Sequence, residues 1–150
     1  MIAVDTNILI YAVSRGDPQG RDEQSLAVME KIEPVFPIIP LQVIGEFLNV
    51  CRRKKLLNTF EAKLRVDEFL TGLNCPQTTA PDLLTAVDTA ARYQLSYFDA
   101  LIITVAARAG AALLLSEDMQ DGLEVEGLRV VNPFVAANAV WIDGVIDQAS

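Results

Sequence analysis

Residues 1–13, "MIAVDTNILIYAV", place a short apolar run before a carboxylate and then resume an apolar pattern at once. Residues 2–4 have the character of a buried strand in a parallel sheet, and residues 7–13 that of a buried helix. Asp5 therefore falls at the carboxyl end of the predicted strand. Sites in open α/β sheets gather beyond that edge. The position makes Asp5 either a site residue or the cap of the helix that follows.

The rest of the chain repeats this alternation of short apolar strands and helices. We expect further strands over residues 35–39, 112–115 and 128–131. Helices are expected over residues 22–32, 40–54, 59–73 and 81–94, and in the apolar segment that follows Asp99 and ends at Gly110. Strands that alternate with helices in this way predict an α/β fold with a parallel sheet covered on both faces.

Composition excludes several kinds of chemistry. The 150 residues, an ordinary size for one domain, contain no histidine, which rules out Ser-His-Asp and Cys-His catalysis and histidine-bound zinc. Cys51 and Cys75 have no metal-binding or redox spacing. Any chemistry must therefore come from carboxylates, hydroxyls, amides, Lys or Arg, or a metal.

Charge and hydropathy bear on location and partners. The chain lacks both an apolar stretch of the roughly 20 residues that a membrane span needs and a basic, cleavable leader, so we expect a cytoplasmic protein. A net charge of −8 argues weakly against a nucleic-acid partner, yet an acidic total can conceal a cluster that binds cations. Arg52, Arg53 and Lys54 belong to one basic run, which is either a solvated helix end or a contact for an RNA backbone.

Four acids are candidates for one site. Asp5 ends the first strand, Asp118 follows the strand "LLLS", and Asp99 stands before the apolar helix. Each of these could instead be a helix or turn cap, and for Asp99 capping is the more common role. Glu46 lies inside the helix expected over residues 40–54. It shares a polar stripe with Gln42, Asn49 and Arg53, which faces either solvent or a polar cleft.

Carboxylates that converge repel one another unless a cation neutralises them. Ligands that are all oxygen select Mg²⁺ or Mn²⁺ rather than zinc. Thr6, Asn7 and Ser116 could hydrogen-bond to the acids around one or two such ions. Bound ions of this kind can generate hydroxide from water and stabilise an in-line phosphoryl displacement, and no histidine is required.

Several stretches together resemble PIN domains, and more narrowly the toxin ribonucleases of VapBC-type toxin–antitoxin pairs. The stretches are "MIAVDTNILIYA", "EFLNVCRRK", "YFDALIITVAARAGAALLLSEDM" and "VVNPF". The resemblance covers residues 1–134 and implies a three-layer α/β/α sandwich with a central, mainly parallel sheet of four to five strands. Residues 135–150 would then be a C-terminal extension that packs on the nuclease domain or at a subunit interface.

The same resemblance implies a metal-dependent endoribonuclease. By motif, the acidic quartet of the family falls on Asp5, Glu46, Asp99 and Asp118, with Asp121 as a possible additional acid. Members of the family are commonly homodimers, each held inactive by an antitoxin that inserts a peptide near the acids.

Two other functions remain open at this point. A phosphoacceptor receiver also clusters acids on a parallel sheet, but it would want a second acid near Asp5 and a lysine after a late strand, where this chain has Asn132-Pro133. A catalytically silent PIN-like module that only binds a protein would not need an intact acidic set.

Overall fold

The computed structural model describes all 150 residues. It contains four strands and seven α-helices. The strands are β1 (Ile2–Val4), β2 (Leu113–Leu115), β3 (Glu124–Val125) and β4 (Leu128–Val131). The helices are α1 (Thr6–Val13), α2 (Arg21–Ile32), α3 (Leu41–Arg53), α4 (Thr59–Gly72), α5 (Ala80–Tyr93), α6 (Tyr97–Arg108) and α7 (Ala139–Ala149).

The sheet has the order β1-β2-β4-β3, and its first three strands are parallel. Val4 pairs with Leu115, and Leu115 pairs with Val131, so the carboxyl ends of three strands meet at one edge. Every residue of β1 and β2 is buried, as expected for a sheet with helices on both faces. The predicted α/β fold with a mainly parallel central sheet is confirmed.

The strand expected over residues 35–39 is largely absent. Residues 33–35 form a 3₁₀ turn, and only Ile38 bridges to Ala3 on one side and Asn74 on the other. Proline has no N–H to give to a ladder. Between Pro37 and Pro40 only two residues can therefore donate, and both do, to the carbonyls of Ile2 and Asn74.

An antiparallel edge strand was missed. Strand β3 returns to β4 through Glu126 and Gly127, whose φ angles are 50° and 82°. Positive φ at both central residues is typical of the tight hairpin turn that favours glycine. With only two residues in β3, no alternation of apolar residues was long enough to mark it.

Helix α7 packs on the body of the chain. Ile142 is buried in the main core, and Lys31 of α2 pairs with Asp143. The guanidinium of Arg129 lies 4.2 Å from the centre of the Trp141 ring. No helix is both long and apolar enough to cross a membrane.

One buried ion pair fastens α5 to α6. The Asp82 carboxylate is 4% exposed and accepts hydrogen bonds from Nε and Nη2 of Arg108 at 2.9 and 2.8 Å. The hydrogen bonds of Arg108 hold the pKa of Asp82 at about 2 despite burial. Because the folded pKa lies below the unfolded one, this stabilisation is present above about pH 4 and is lost as the pH falls through 2.

We predict that Arg108→Gln lowers the free energy of unfolding by about 2–3 kcal/mol near pH 7, since it leaves Asp82 buried without its cation. The loss is smaller than for a fully buried pair because Arg108 is 43% exposed. Urea denaturation measures the change. Arg92→Gln, whose 3.9 Å pair with Glu126 is solvent-exposed, is the matched control and should change stability by less than about 1 kcal/mol. Equal effects for the two variants would contradict the assignment.

Candidate active site

Asp5 sits where β1 turns into α1, at the edge shared by the parallel strands. Its Oδ1 accepts a hydrogen bond from the backbone N–H of Thr6 at 2.7 Å, so it does cap α1. Its Oδ2 accepts a second one, also 2.7 Å, from the hydroxyl of Ser116 at the end of β2. The side chain therefore joins two strand ends as well as capping a helix.

The environment of Asp5 disfavours its negative charge. The residue is 5% exposed, and burial raises the pKa of its carboxyl group to about 6. The hydrogen bonds from Ser116 and Thr6 lower this pKa, while the negative charges of Asp99 and Glu46 raise it. Two of the predicted partners are thus close enough to repel Asp5 electrostatically.

Glu46 is held in place by side chains from α1 and α3. Its Oε2 accepts a hydrogen bond from the Thr6 hydroxyl at 2.7 Å, and its Oε1 accepts one from Gln42 Nε2 at 2.9 Å. Gln42 Nε2 also lies 3.3 Å from the carbonyl oxygen of Phe98, the residue before Asp99. The sequence pattern does not mark Gln42 as a site residue, and its spacing of four from Glu46 is the one signal that points to this contact.

Asp118 approaches from the loop after β2. Its Oδ2 accepts a hydrogen bond from Asn7 Nδ2 at 2.9 Å. The Ser116 hydroxyl, besides donating to Asp5, accepts the backbone N–H of Met119 at 3.3 Å and so fixes this loop. Thr6, Asn7 and Ser116 therefore each hydrogen-bond a different candidate acid.

Asp99 is not the N-cap of α6. The helix begins at Tyr97, and the Ser96 hydroxyl caps it by accepting the backbone N–H of Asp99 at 3.2 Å. Asp99 lies in the first turn, and its carboxylate carries no capping hydrogen bond. The capping interpretation of Asp99 is therefore wrong, and Ser96 was overlooked for that role.

The polar stripe on α3 faces a cleft rather than open solvent. Glu46, Asn49 and Arg53 line a cavity of about 420 Å³ together with residues of α1 and the loop after β2. The other lining residues include Thr6, Asn7, Lys54, Glu117 and Asp118. Arg52 lies elsewhere, in a separate cleft between α3 and α4.

Asp121 is engaged by the C-terminal segment. Its Oδ1 accepts the backbone N–H of Asn132 at 2.8 Å and Nδ2 of Asn138 at 2.9 Å. These contacts tie the loop after β2 to the end of β4 and to the approach to α7.

The carboxylates suit a hard divalent cation by charge and by donor type. None of Asp5, Glu46, Asp99 and Asp118 forms an ion pair with Lys or Arg. The buried Oε1 of Gln42, beside Glu46, accepts no hydrogen bond, and a water molecule on an ion would satisfy it. No three acidic or thiol side chains surround a single point as ligands would. The structure thus shows unneutralised oxygen donors without a formed metal centre.

The role of Thr6 can be tested separately. We predict that Thr6→Val, which removes the hydrogen bond to Glu46, lowers the RNA cleavage implied by the sequence resemblance about 10- to 100-fold. The fold should lose no more than about 1.5 kcal/mol of unfolding free energy. Thr71→Val is the matched control, because its hydroxyl bonds only to carbonyls of its own helix. A Thr6→Val enzyme as active as the control would show that Glu46 needs no such support.

Comparison with known proteins places this arrangement in a family. Residues 2–120 match the model of the PIN domain. The chain belongs to the PIN-domain family. The matched residues include all four candidate acids, and residues 121–150 lie beyond them. No curated protein sequence matches the chain.

Three solved structures superpose on most of the chain. VapC20 of Mycobacterium tuberculosis, a sarcin-ricin-loop-cleaving toxin, is 20% identical with a TM-score of 0.65, over 79% of this chain and 90% of that one. A toxin–antitoxin complex from Klebsiella pneumoniae is 20% identical with a TM-score of 0.63, over 89% and 98%. VapBC2 of Rickettsia felis, bound to a promoter DNA fragment, is 18% identical with a TM-score of 0.58, over 79% and 89%.

These likenesses agree with the resemblance seen in the sequence. At such identities they bear on the fold alone. The PIN-domain match removes the receiver-type interpretation, which required a different family.

Proposed function

We propose that this PIN-domain protein is a divalent-metal-dependent endoribonuclease that hydrolyses phosphodiester bonds of RNA. One observation carries the proposal: Asp5 is buried beside the negative charges of Asp99 and Glu46, and no Lys or Arg forms an ion pair with these acids. A protein keeps uncompensated buried charge of this kind chiefly where function requires it.

Asp5, Glu46, Asp99 and Asp118 would hold one or two Mg²⁺ or Mn²⁺ ions. When bound, such an ion supplies a hydroxide nucleophile at neutral pH and offsets the charge of the reacting phosphate. The protein's own contribution is orientation. Ser116 and Thr6 hold the carboxylates of Asp5 and Glu46, and Asn7 holds that of Asp118. Arg53 and Lys54, on the cationic side of the same cleft, would bind the RNA backbone.

We further propose that the protein is the toxin of a type II toxin–antitoxin pair. The support is its likeness to a sarcin-ricin-loop-cleaving toxin and to two toxin–antitoxin complexes. The partner would be a cognate antitoxin that inserts a segment near the acids. From the resemblance to a family whose members are commonly homodimers, we also propose a homodimer, which light scattering on the purified protein would test.

Incubation with RNA tests the activity. Purified, antitoxin-free protein is mixed with total RNA in Mg²⁺ or Mn²⁺, with and without EDTA. Discrete fragments are expected with either metal and none with EDTA. Cleavage that persists in EDTA would contradict metal dependence. The absence of fragments from ribosomal, transfer and messenger RNA alike would instead indicate a silent protein-binding module.

A further inference from the structure

The cations of the chain divide into two groups. Seven ion pairs engage six of the twelve Lys and Arg residues. Six residues remain without an acidic partner, and five of these lie around the junction of α3 and α4. The five are Arg52, Arg53, Lys54, Lys55 and Lys63. A chain with a net charge of −8 thus keeps five of its six unpaired Lys and Arg residues in one region, and only Arg15 lies elsewhere.

These five residues line two clefts on either side of the last turn of α3. Arg53 and Lys54 line the cleft that contains Glu46 and Asp118. Arg52, Lys55 and Lys63 line a second cleft of about 520 Å³, together with Asn58 and Thr59 at the start of α4. The second cleft has no acidic lining residue. Glu61, which lies between Thr59 and Lys63 on α4, accepts the backbone N–H of Asn58 in a capping box.

The turn between the two helices places Lys55 in a conformation that costs energy. The N–H groups of Lys55 and Leu56 bond to the carbonyls of Arg52 and Cys51, the pattern of a Schellman helix end. In a Schellman motif the residue after the C-cap is left-handed and usually glycine. Here Lys54 is the C-cap, and Lys55 takes the left-handed position with a φ of 54°. A lysine there is worse for the turn than glycine and projects a charge into the cleft.

We propose that the cleft lined by Arg52, Lys55 and Lys63 binds the phosphate backbone of the RNA substrate beyond the cleaved bond. Arg53 and Lys54 connect this cleft to the acids, so the RNA runs from the acidic site across the end of α3. Arg52 and Lys55 thereby gain a role separate from that of Arg53 and Lys54, although all four are consecutive in the sequence. The inference rests on the proposed nuclease function, which it extends from the reaction centre to the substrate's path.

RNA binding tests the proposal without relying on cleavage. Fluorescence anisotropy measures the affinity for a labelled single-stranded RNA of roughly 30 nucleotides in EDTA over a series of salt concentrations. Each phosphate contact contributes about 0.7 to the salt dependence for single strands. The triple variant Arg52→Gln, Lys55→Gln, Lys63→Gln should lower that slope by about 2 and weaken binding about tenfold to a hundredfold near 0.1 M salt.

The matched control removes the same charge elsewhere. Lys31→Gln, Arg65→Gln and Arg92→Gln together eliminate three cations that already have acidic partners. This variant should bind RNA within about twofold of the parent protein, since no phosphate contact is lost. Equal losses in the two triple variants would overturn the proposal, because they would show a response to net charge alone.

Lys55→Gly separates the structural role of the residue from its binding role. Glycine adopts the left-handed position more readily, so the variant should unfold at an equal or higher urea concentration. It should nevertheless bind RNA about threefold to tenfold more weakly, because one phosphate contact is lost. Unchanged affinity in both this variant and the triple variant would overturn the proposal and leave the cleft to another anion, such as an acidic peptide.

Binding and cleavage measured on the same variants distinguish a failure of the cleft proposal from a failure of the nuclease proposal. RNA that binds through this cleft but is never cut in Mg²⁺ or Mn²⁺ would support the backbone cleft and contradict the nuclease activity. Metal-dependent cutting with a KM unaffected by the triple variant would support the nuclease and overturn the cleft.

Discussion

Asp5→Asn is expected to abolish RNA cleavage, with a loss of more than about a hundredfold, while the protein remains folded. The loss should exceed the 10- to 100-fold typical of residues that only support a metal ligand. Asparagine caps a helix as well as aspartate, so the bond to the N–H of Thr6 is retained. The Ser116 hydroxyl can accept from the new amide in place of donating to Oδ2.

The same substitution should stabilise the metal-free protein at neutral pH. The folded pKa of Asp5 is raised from 3.8 to about 6, so ionising this group opposes folding. The penalty is absent below about pH 4 and complete above about pH 6, where it amounts to about 3 kcal/mol. Urea denaturation in EDTA should therefore show Asp5→Asn more stable than the parent near pH 7.5 and equal to it near pH 4.

Asp147→Asn is the control for Asp5→Asn, because it removes one exposed carboxylate of α7 that forms no ion pair. It should alter neither cleavage nor the pH dependence of stability. An Asp5→Asn protein that cleaves RNA as the control does would reduce Asp5 to a helix cap and a link between strands.

Asp99→Asn and Ser96→Ala should produce opposite outcomes. The sequence left Asp99 as either a helix cap or a site acid. In the structure Ser96 caps α6, and the negative charge of Asp99 raises the pKa of Asp5. Asp99→Asn should abolish cleavage and lower the unfolding free energy by less than about 1 kcal/mol, the value of one charge near a helix N-terminus. Ser96→Ala should lower the unfolding free energy by about 1 kcal/mol and leave cleavage within about threefold of the parent.

Cleavage assays and urea denaturation on both variants decide this. If Ser96→Ala lost as much activity as Asp99→Asn at equal stability, the cap would be part of the active machinery. If Asp99→Asn remained active, the acidic set would consist of Asp5, Glu46 and Asp118 alone.

The edge of the sheet could be predicted because strand ends carry a local signal. Three apolar residues before Asp5 and the run before Ser116 mark where buried strands end, and parallel strands align those ends. Asp5 follows the first of these strands and Asp118 follows the second, so the sequence predicts both carboxylates at one edge of the sheet. The parallel pairing of β1, β2 and β4 in the structure confirms the sheet that these strand ends predict.

Other features depend on contacts between distant residues. Nothing local shows that Asp121 bonds to Asn132 and Asn138, or that Gln42 bonds to Glu46 and reaches the carbonyl of Phe98. The sequence alone predicts a single group of cations in the basic run, because adjacent helical residues look equivalent in sequence. Only the position of α4 in the structure shows that Arg53 and Lys54 share a cleft with the acids and that Arg52 and Lys55 do not.

The strand expected over residues 35–39 failed for a backbone reason. Its apolar residues fit a buried strand, but Pro37 and Pro40 leave only two N–H groups to pair. Residues 37–39 are buried beside β1, where Ile38 bridges to Ala3, whereas Phe36 is exposed and no extended ladder forms.

The source of the oxygen atom in the newly formed phosphate end tests most directly the central claim that water is the nucleophile in RNA cleavage. A single turnover is run in ¹⁸O-labelled water with Mn²⁺, and the fragment ends are analysed by mass spectrometry. Attack by water predicts linear phosphate monoester ends that carry one ¹⁸O atom from the first time point. Ends that first appear as unlabelled 2′,3′-cyclic phosphate would contradict the account, because the ribose hydroxyl rather than water would then be the nucleophile.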